Sequence, residues 1–107
     1  MQDFRQLDVW CEAMDLCEAV YVATQRYDPD ERFGLVAQSR RSAVSVASNI
    51  AEGAGRPGQP EFARFLGYAV GSLSELETQI EIARRVGSLE AATAERLIGD
   101  IVRLGRR

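Results

Sequence analysis

The amino-acid sequence predicts an all-α protein: an antiparallel up-and-down four-helix bundle that occupies residues 1–107 as a single domain. Apolar residues recur at helical spacing through nearly the whole chain, and no segment shows the apolar–polar alternation of a half-buried strand. Short connections containing proline or glycine separate the helical segments. Helices joined by such short connections pack antiparallel to their neighbours in sequence, which gives the bundle.

The first helix is predicted from Phe4 to Arg26, and it carries two apolar seams. One seam consists of Leu7, Trp10, Met14, Cys17, Tyr21 and Thr24, and the other of Val9, Ala13, Leu16, Val20, Ala23 and Tyr27. Two adjacent seams make an apolar face wider than one neighbouring helix needs. The cysteines, Cys11 and Cys17, lie too far apart around the helix to form a disulfide within it, and they are expected to be buried free thiols.

The second helix is predicted from Pro29 to about Glu52. Asp28 suits the N-cap, Pro29 suits the first helical position, and Glu31 follows the cap by three residues, which together resemble a capping box. The apolar residues of this helix are mostly small or β-branched and lie on more than one face. This pattern indicates a helix that packs on two sides.

The third helix is predicted from Pro60 to Val86 and the fourth from Leu89 to Leu104. Spacings of four and three residues relate Phe62, Leu66, Ala69, Leu73, Leu76, Ile80 and Ala83. Such a period indicates left-handed packing at small crossing angles. Gly67 and Gly71 would allow a neighbouring backbone to come close, Gly87 ends the third helix and Ser88 caps the fourth. The inward residues of the fourth helix are Ala94, Leu97, Ile101 and Leu104.

The stretch AEGAGRPGQPEF, residues 51–62, contains the spacing G-x-G-x-x-G. A dinucleotide-binding turn with this spacing follows a strand, whereas here a long helix precedes it, and Pro57 lacks an N–H that a phosphate would need. We therefore predict a hinge between helices, in which Gly53 ends the second helix in a left-handed conformation, and no cofactor. Arg56, beside the start of the third helix, remains a candidate for holding an anion.

The chain contains no histidine and no lysine, so all 13 basic residues are arginine. The commonest general base, the commonest metal ligand and the lysines of Schiff bases and P-loops are thus absent. We predict that the protein is not an enzyme and has no metal, cofactor or small-molecule substrate. An enzyme that uses Glu52 or Glu75 is the disfavoured alternative. No apolar run is long enough to span a bilayer and the start lacks a signal peptide, so a cytoplasmic protein without a membrane partner is expected.

The net charge of −3 is unevenly distributed. Residues 1–31 contain eight acids and two arginines, a balance of −6, whereas residues 32–107 contain eleven arginines and eight acids, a balance of +3. An acidic first helix therefore faces a basic remainder. An all-arginine set suits phosphate recognition, although the base composition of the genome would also account for it.

Polar residues share one face of each of the two central helices. They are Arg41, Ser45, Asn49 and Glu52 on the second helix, and Arg64, Tyr68, Ser72, Glu75 and Gln79 on the third. Folding the hairpin about Pro57 places Arg41 beside Glu75, and we predict an ion pair between them with Ser45 and Ser72 nearby. A polar seam of this kind fixes helix register or an oligomer contact; an active site with paired carboxylates is the alternative.

Three segments resemble the four-helix-bundle proteins associated with 23S rRNA intervening sequences. They are FRQLDVWCEAMDLCEAVY, ERFGLVAQSRRSAVSVASNIAEGAGR and EFARFLGYAVGSLSELETQIEIA, within residues 4–87. The residues that match the family motifs are Ser45, Asn49, Ile50, Ala51, Glu52, Gly53, Gly71, Ser72, Leu73, Glu75 and Glu77. The resemblance implies an antiparallel bundle that assembles as a homopentameric ring, and it does not imply an enzyme.

Two hypotheses of function follow. The first is an oligomer that binds structured RNA, as related accessory proteins of diversity-generating retroelements bind nucleic acid through a basic ring surface; the acidic balance of this chain argues against a close parallel. The candidate contacts are Arg56, Arg84, Arg85, Arg103, Arg106 and Arg107. The second is a protein-interaction scaffold whose acidic first helix meets a basic partner. Arginines gathered on one surface would favour RNA, and arginines paired with acids between subunits would favour the scaffold.

Overall fold

Residues 3–106 are described by the structure, a computed structural model. Four long helices account for most of this range, which contains no strand: α1 (Asp8–Thr24), α2 (Ala37–Ala54), α3 (Gln59–Arg85) and α4 (Ala91–Gly105). Each helix packs against its neighbours in sequence, and α1 also packs against α4, which closes the bundle. The predicted all-α, four-helix fold is thereby confirmed. Between residues 3 and 106 no helix is both long enough and apolar enough to cross a membrane.

The core consists of the inward faces of all four helices, and the predicted seams supply most of it. Every inward position predicted for α4 is buried, as are the last five members of the α3 series, from Ala69 to Ala83. On α1 the seam that contains Leu16 and Val20 is buried. The neighbouring seam is only partly covered, as its width led us to expect.

Three of the predicted helix starts are wrong. The first helix begins at Asp8 and not at Phe4, because Phe4–Gln6 forms a separate 3₁₀ turn and the backbone of Leu7 is extended. The second helix begins at Ala37, because Pro29–Glu31 forms a 3₁₀ turn and Arg32–Val36 a π-helical turn that contains non-helical backbone at Gly34 (φ −103°, ψ −106°). Asp28 does act as a cap, but its Oδ1 accepts from the N–H of Asp30 at 2.9 Å, within the 3₁₀ turn. Phe33, beside the irregular glycine, is 87% exposed.

The fourth helix begins at Ala91, two residues later than predicted. Gly87 ends the preceding segment with φ +84°, as expected for a left-handed terminus. Ser88 does not cap α4, because Glu90 occupies the N-cap position and makes no side-chain capping hydrogen bond. The chain needs the extra residues to turn from α3 into α4, and the N–H groups of Ser88 and Leu89 donate to the carbonyl of Ala83 on the way.

Candidate functional site

The polar seam between α2 and α3 is built around the hydroxyl group of Ser45. The Ser72 hydroxyl donates to Ser45 Oγ at 2.9 Å, and Asn49 Nδ2 donates to the same oxygen at 3.0 Å and to the Ser45 carbonyl at 2.8 Å. The predicted proximity of Ser45 and Ser72 is therefore confirmed. The predicted ion pair is wrong: within residues 3–106, neither Arg41 nor Glu75 has an opposite charge within 4 Å, and both are exposed.

The two family-motif glycines have different surroundings. Gly53 lies inside α2, not in a left-handed terminus, so that part of the hinge prediction is wrong. A Cβ atom at this position would lie 2.7 Å from the Cβ of Phe65 and 3.2 Å from a ring carbon of Phe62. The two helices thus approach too closely at Gly53 to leave space for a Cβ atom. Gly71 faces outward, and a Cβ there would meet nothing within 4 Å.

The α2–α3 hinge carries an arginine–aromatic cluster. Glu52 accepts from Arg56 at 3.0 Å, and the Arg56 guanidinium lies 5.1 Å from the Phe65 ring. Arg64 lies over the same ring, donates twice to Glu61 and donates to the Tyr68 hydroxyl. The hydrogen bond from Arg64 lowers the pKa of Glu61. Arg56, in the turn between α2 and α3, is therefore held by a carboxylate near the end of α2.

The candidate RNA contacts at the far end of α3 are also paired. Arg84 and Arg85 both donate to Glu81, and their hydrogen bonds, that of Arg84 foremost, lower the pKa of this carboxyl to about 2. Arg103 pairs with Asp100 one turn before it. Within the described residues, Arg106 has no carboxylate partner. Arg107 lies outside the described residues.

These arginines do not form one surface. Arg56 precedes α3 and Arg85 ends it, so the 27 residues of the helix separate them by about 40 Å at 1.5 Å per residue. The ion pairs among residues 3–106 join residues two to four apart in sequence. Carboxylates thus neutralise four of the six candidate RNA contacts, Arg56, Arg84, Arg85 and Arg103, at three separate places.

The outward face of α3 carries a stripe of small, uncharged residues. It consists of Ala63, Gly67, Val70, Gly71, Ser74 and Thr78, all exposed and all opposite the buried face of the helix. Val70 is 50% exposed, and a Cβ on either glycine would meet nothing within 4 Å. Sequence reasoning singled out the two glycines and missed the stripe. The sequence did contain a signal for the stripe, because small uncharged residues recur three and four positions apart along α3.

A second uncovered surface lies along α1 and α2. Met14 and Tyr21 of α1 are 44% and 40% exposed, and Val44 of α2 is 42% exposed. Arg40 ties the two helices together, because its Nε donates to Thr24 Oγ1 at 2.9 Å while its guanidinium lies over the Tyr21 ring. We call Met14, Tyr21 and Val44 the α1–α2 apolar patch.

The cysteines and acids of α1 complete the set of candidate residues. Cys11 is exposed and Cys17 half-buried, so the expectation of two buried thiols is wrong for Cys11, which lies on the outward side of the helix. Burial raises the pKa of Cys17. Asp8, Asp15 and Glu18 are exposed on α1. No cluster of acids and cysteines among residues 3–106 is arranged to hold a metal ion.

Comparison with known proteins places this geometry in a family. The profile of the family described as 23S rRNA-intervening sequence protein matches residues 5–107. A crystal structure of a protein of unknown function from the S23 ribosomal protein family of Bacteroides thetaiotaomicron has a similar fold, with a TM-score of 0.82, 19% sequence identity and 92% of each chain covered. No curated protein matches the chain. Because the profile covers nearly the whole sequence, the chain belongs to the 23S rRNA-intervening sequence protein family.

Proposed function

We propose that the protein is a non-enzymatic interaction module that assembles with copies of itself. The observation that carries this proposal is the small-residue stripe on α3. Outward helix faces normally carry charged side chains, and mid-helix glycine costs about 1 kcal/mol relative to alanine. A stripe with two such glycines, where a Cβ would have ample room, is explained if another backbone approaches the helix there.

The α1–α2 apolar patch supports a particular kind of assembly. The stripe lies on α3 and the patch on α1 and α2, so a single chain offers two different uncharged surfaces. Contact between two different surfaces of identical subunits is heterologous, and it forms a closed ring when the rotation between subunits closes. A ring of five is the assembly that the family resemblance implies, and we propose it here.

The mass of the protein in solution tests the proposal. Light scattering during size-exclusion chromatography should give a mass near five times that of the 11.8 kDa chain. Ser74→Arg places a long charged side chain on the stripe and should yield smaller species. Ala92→Arg adds the same charge to an exposed position of α4 and should leave the mass unchanged. A monomeric wild-type protein, or equal effects of the two variants, would contradict the proposal.

The scaffold would meet a protein partner through the acidic face of α1. Asp8, Asp15 and Glu18 are exposed there, and none of them forms an ion pair within residues 3–106. A ring would repeat this face in every subunit. Several weak contacts with one partner would then raise the overall affinity through effective concentration. A basic partner is therefore the class that the scaffold suits.

Binding of structured RNA is a second candidate function. It is favoured by the arginines without a carboxylate within 4 Å in the described part of the chain, which are Arg26, Arg32, Arg40, Arg41, Arg96 and Arg106. Except for Arg40, whose guanidinium group is held by Thr24 and Tyr21, these side chains are available for phosphate contacts. Nuclease-treated protein should then bind RNA with an affinity that falls linearly in log salt. Arg41→Gln should weaken binding more than Arg84→Gln, and absence of binding at low salt would remove this candidate.

A further inference from the structure

A cleft of about 540 Å³ lies between the second half of α1 and the start of α4. Its apolar lining includes Val22 and Ala23 from α1 and Leu89 and Leu97 from the α4 side. Small-molecule sites in proteins have volumes of roughly 300–1,000 Å³ and a mostly apolar lining with a few polar groups. The cleft is therefore large enough for a small organic ligand.

Two arginines give the cleft its chemical character. Arg96 lines it from α4, and Arg26 lines it from the turn that follows α1. No carboxylate oxygen of residues 3–106 lies within 4 Å of either guanidinium group, whereas six other arginines in this range are paired with an acid: Arg5, Arg56, Arg64, Arg84, Arg85 and Arg103. A half-enclosed apolar space bordered by two cations without acidic partners is complementary to an anion that has an apolar body.

We infer that this cleft binds a small organic monoanion, a carboxylate with an apolar body. The carboxylate lies against Arg26 and Arg96, and the apolar body lies on Val22 and Leu97. Glu90 also lines the cleft, and its charge disfavours a ligand with several negative groups.

The inference goes beyond assembly and does not depend on it. Neither the small-residue stripe nor the α1–α2 apolar patch contributes a residue to the cleft. A ligand of this class was not expected from the sequence, because Arg26 and Arg96 are 70 residues apart along the chain and no motif links them. The fold alone brings them to one cavity.

Calorimetric titration with octanoate tests the inference, and octanol, which has a similar apolar chain and no charge, provides the comparison. Octanoate should bind the purified oligomer at one site per chain and more tightly than octanol. Arg26→Gln and Arg96→Gln should each weaken octanoate binding about threefold to fivefold, the range of an exposed ion pair, and should leave octanol binding unchanged. Arg106→Gln is the matched control, because Arg106 also lacks a carboxylate partner and lies outside the cleft.

Three results would overturn the inference. Absence of octanoate binding by the folded wild-type protein is the first. Equal losses in Arg106→Gln and in the cleft variants are the second, because they would indicate a general charge effect. Binding by the smaller species of Ser74→Arg but not by the assembled protein is the third, because a neighbouring copy would then cover the cleft.

Discussion

Gly53 lies where α2 packs so closely on α3 that a side chain larger than hydrogen has no space. An added methyl group would lie 2.7 Å from Phe65 Cβ, an atom fixed to the backbone of α3, so the two helices would have to move apart. Overpacking of this kind costs about 1–3 kcal/mol, while alanine regains at most about 1 kcal/mol of helix propensity. We therefore expect Gly53→Ala to lower the free energy of unfolding by roughly 1 kcal/mol or more.

Urea denaturation at a fixed protein concentration measures this effect, with Gly55→Ala as the control. Gly55 has φ −82°, which any residue adopts, and its Cβ would lie 3.6 Å or more from its nearest neighbours. The control should be neutral or slightly stabilising. Equal stability of Gly53→Ala and wild type would show that the helices do not pack as tightly as described here.

Tyr27 provides a second test at the scale of single residues. Its ring is buried, and its hydroxyl has no hydrogen-bond partner among residues 3–106. Burial, with a smaller effect of Glu31, raises the pKa of Tyr27 to about 12 from an ordinary value of 10. The unfolded chain therefore loses this proton at lower pH than the folded chain, so stability that is present below pH 10 is lost as the pH rises toward 12.

Tyr27→Phe removes both the unpaired buried hydroxyl group and the proton that titrates. At pH 7 the variant should be as stable as wild type or more stable, because an unpaired buried hydroxyl group is removed. Between pH 10 and 12 it should lose less stability than wild type. Chemical denaturation at pH 7, 10 and 11.5 gives both quantities, and a parallel alkaline decline in the two proteins would show that Tyr27 is not the titrating group.

At the scale of the helix, α4 begins without a side-chain cap. Glu90 stands at its N-cap with extended backbone (φ −64°, ψ 145°) and without a side-chain capping hydrogen bond. Serine in this backbone conformation accepts from the second or third N–H group of the helix, and such caps contribute about 0.5–2 kcal/mol. Glu90→Ser should therefore raise the midpoint of thermal unfolding.

The control for this change is Glu95→Ser, at an exposed position inside α4. Serine is a weaker helix former than glutamate, so the control should be slightly destabilised. Two variants with the same chemical change should thus shift the unfolding midpoint in opposite directions. A midpoint lowered by Glu90→Ser would mean that the helix end is already satisfied by other groups.

Periodicity predicted the helices well because each inward face repeats a simple pattern over many residues. The series from Phe62 to Ala83 located α3 to within one residue at either end. The start of α2 was mispredicted because Pro29 is equally compatible with a 3₁₀ turn, and the backbone of Gly34 then departs from helical geometry. Local residues favoured a helix there, but the connection from α1 requires an irregular path.

Predictions of side-chain contacts were less successful, for a physical reason. Ser45 and Ser72 were correctly placed together because short side chains meet only where the backbones are close. Arg41 and Glu75 have long side chains on exposed positions, and spacing along two helices does not determine where such groups point. The cleft between α1 and α4 could not be predicted, because its size depends on the angle and distance between the two helices, which the sequence pattern does not determine.

At the scale of the whole molecule, the distribution of charge favours self-assembly over a basic binding surface. Half of the twelve arginines in residues 3–106 pair with a carboxylate two to four positions away in sequence, so in these places the positive charge is balanced locally. The small-residue stripe on the outward face of α3 contains no charged residue. A subunit of this kind is complementary to another uncharged surface, such as the α1–α2 apolar patch.

Gly71→Ala separates the stability of the subunit from the stability of the assembly. The residue has ample room within the chain, so alanine should stabilise each helix by up to about 1 kcal/mol. If a second copy packs on the stripe, the same methyl group obstructs the contact between subunits. The unfolding temperature of the wild type should rise with protein concentration, as it does for any protein stabilised by association.

In Gly71→Ala that dependence on concentration should weaken, while the unfolding temperature of the dilute, dissociated protein should increase. Differential scanning fluorimetry over a hundredfold range of concentration measures both, and Gly99→Ala is the control. Gly99 also lies within a helix and has nothing within 4 Å of an added Cβ, but it belongs to α4. The same response in both variants would rule out the stripe as the contact between subunits, because a general gain in helix stability would then explain it.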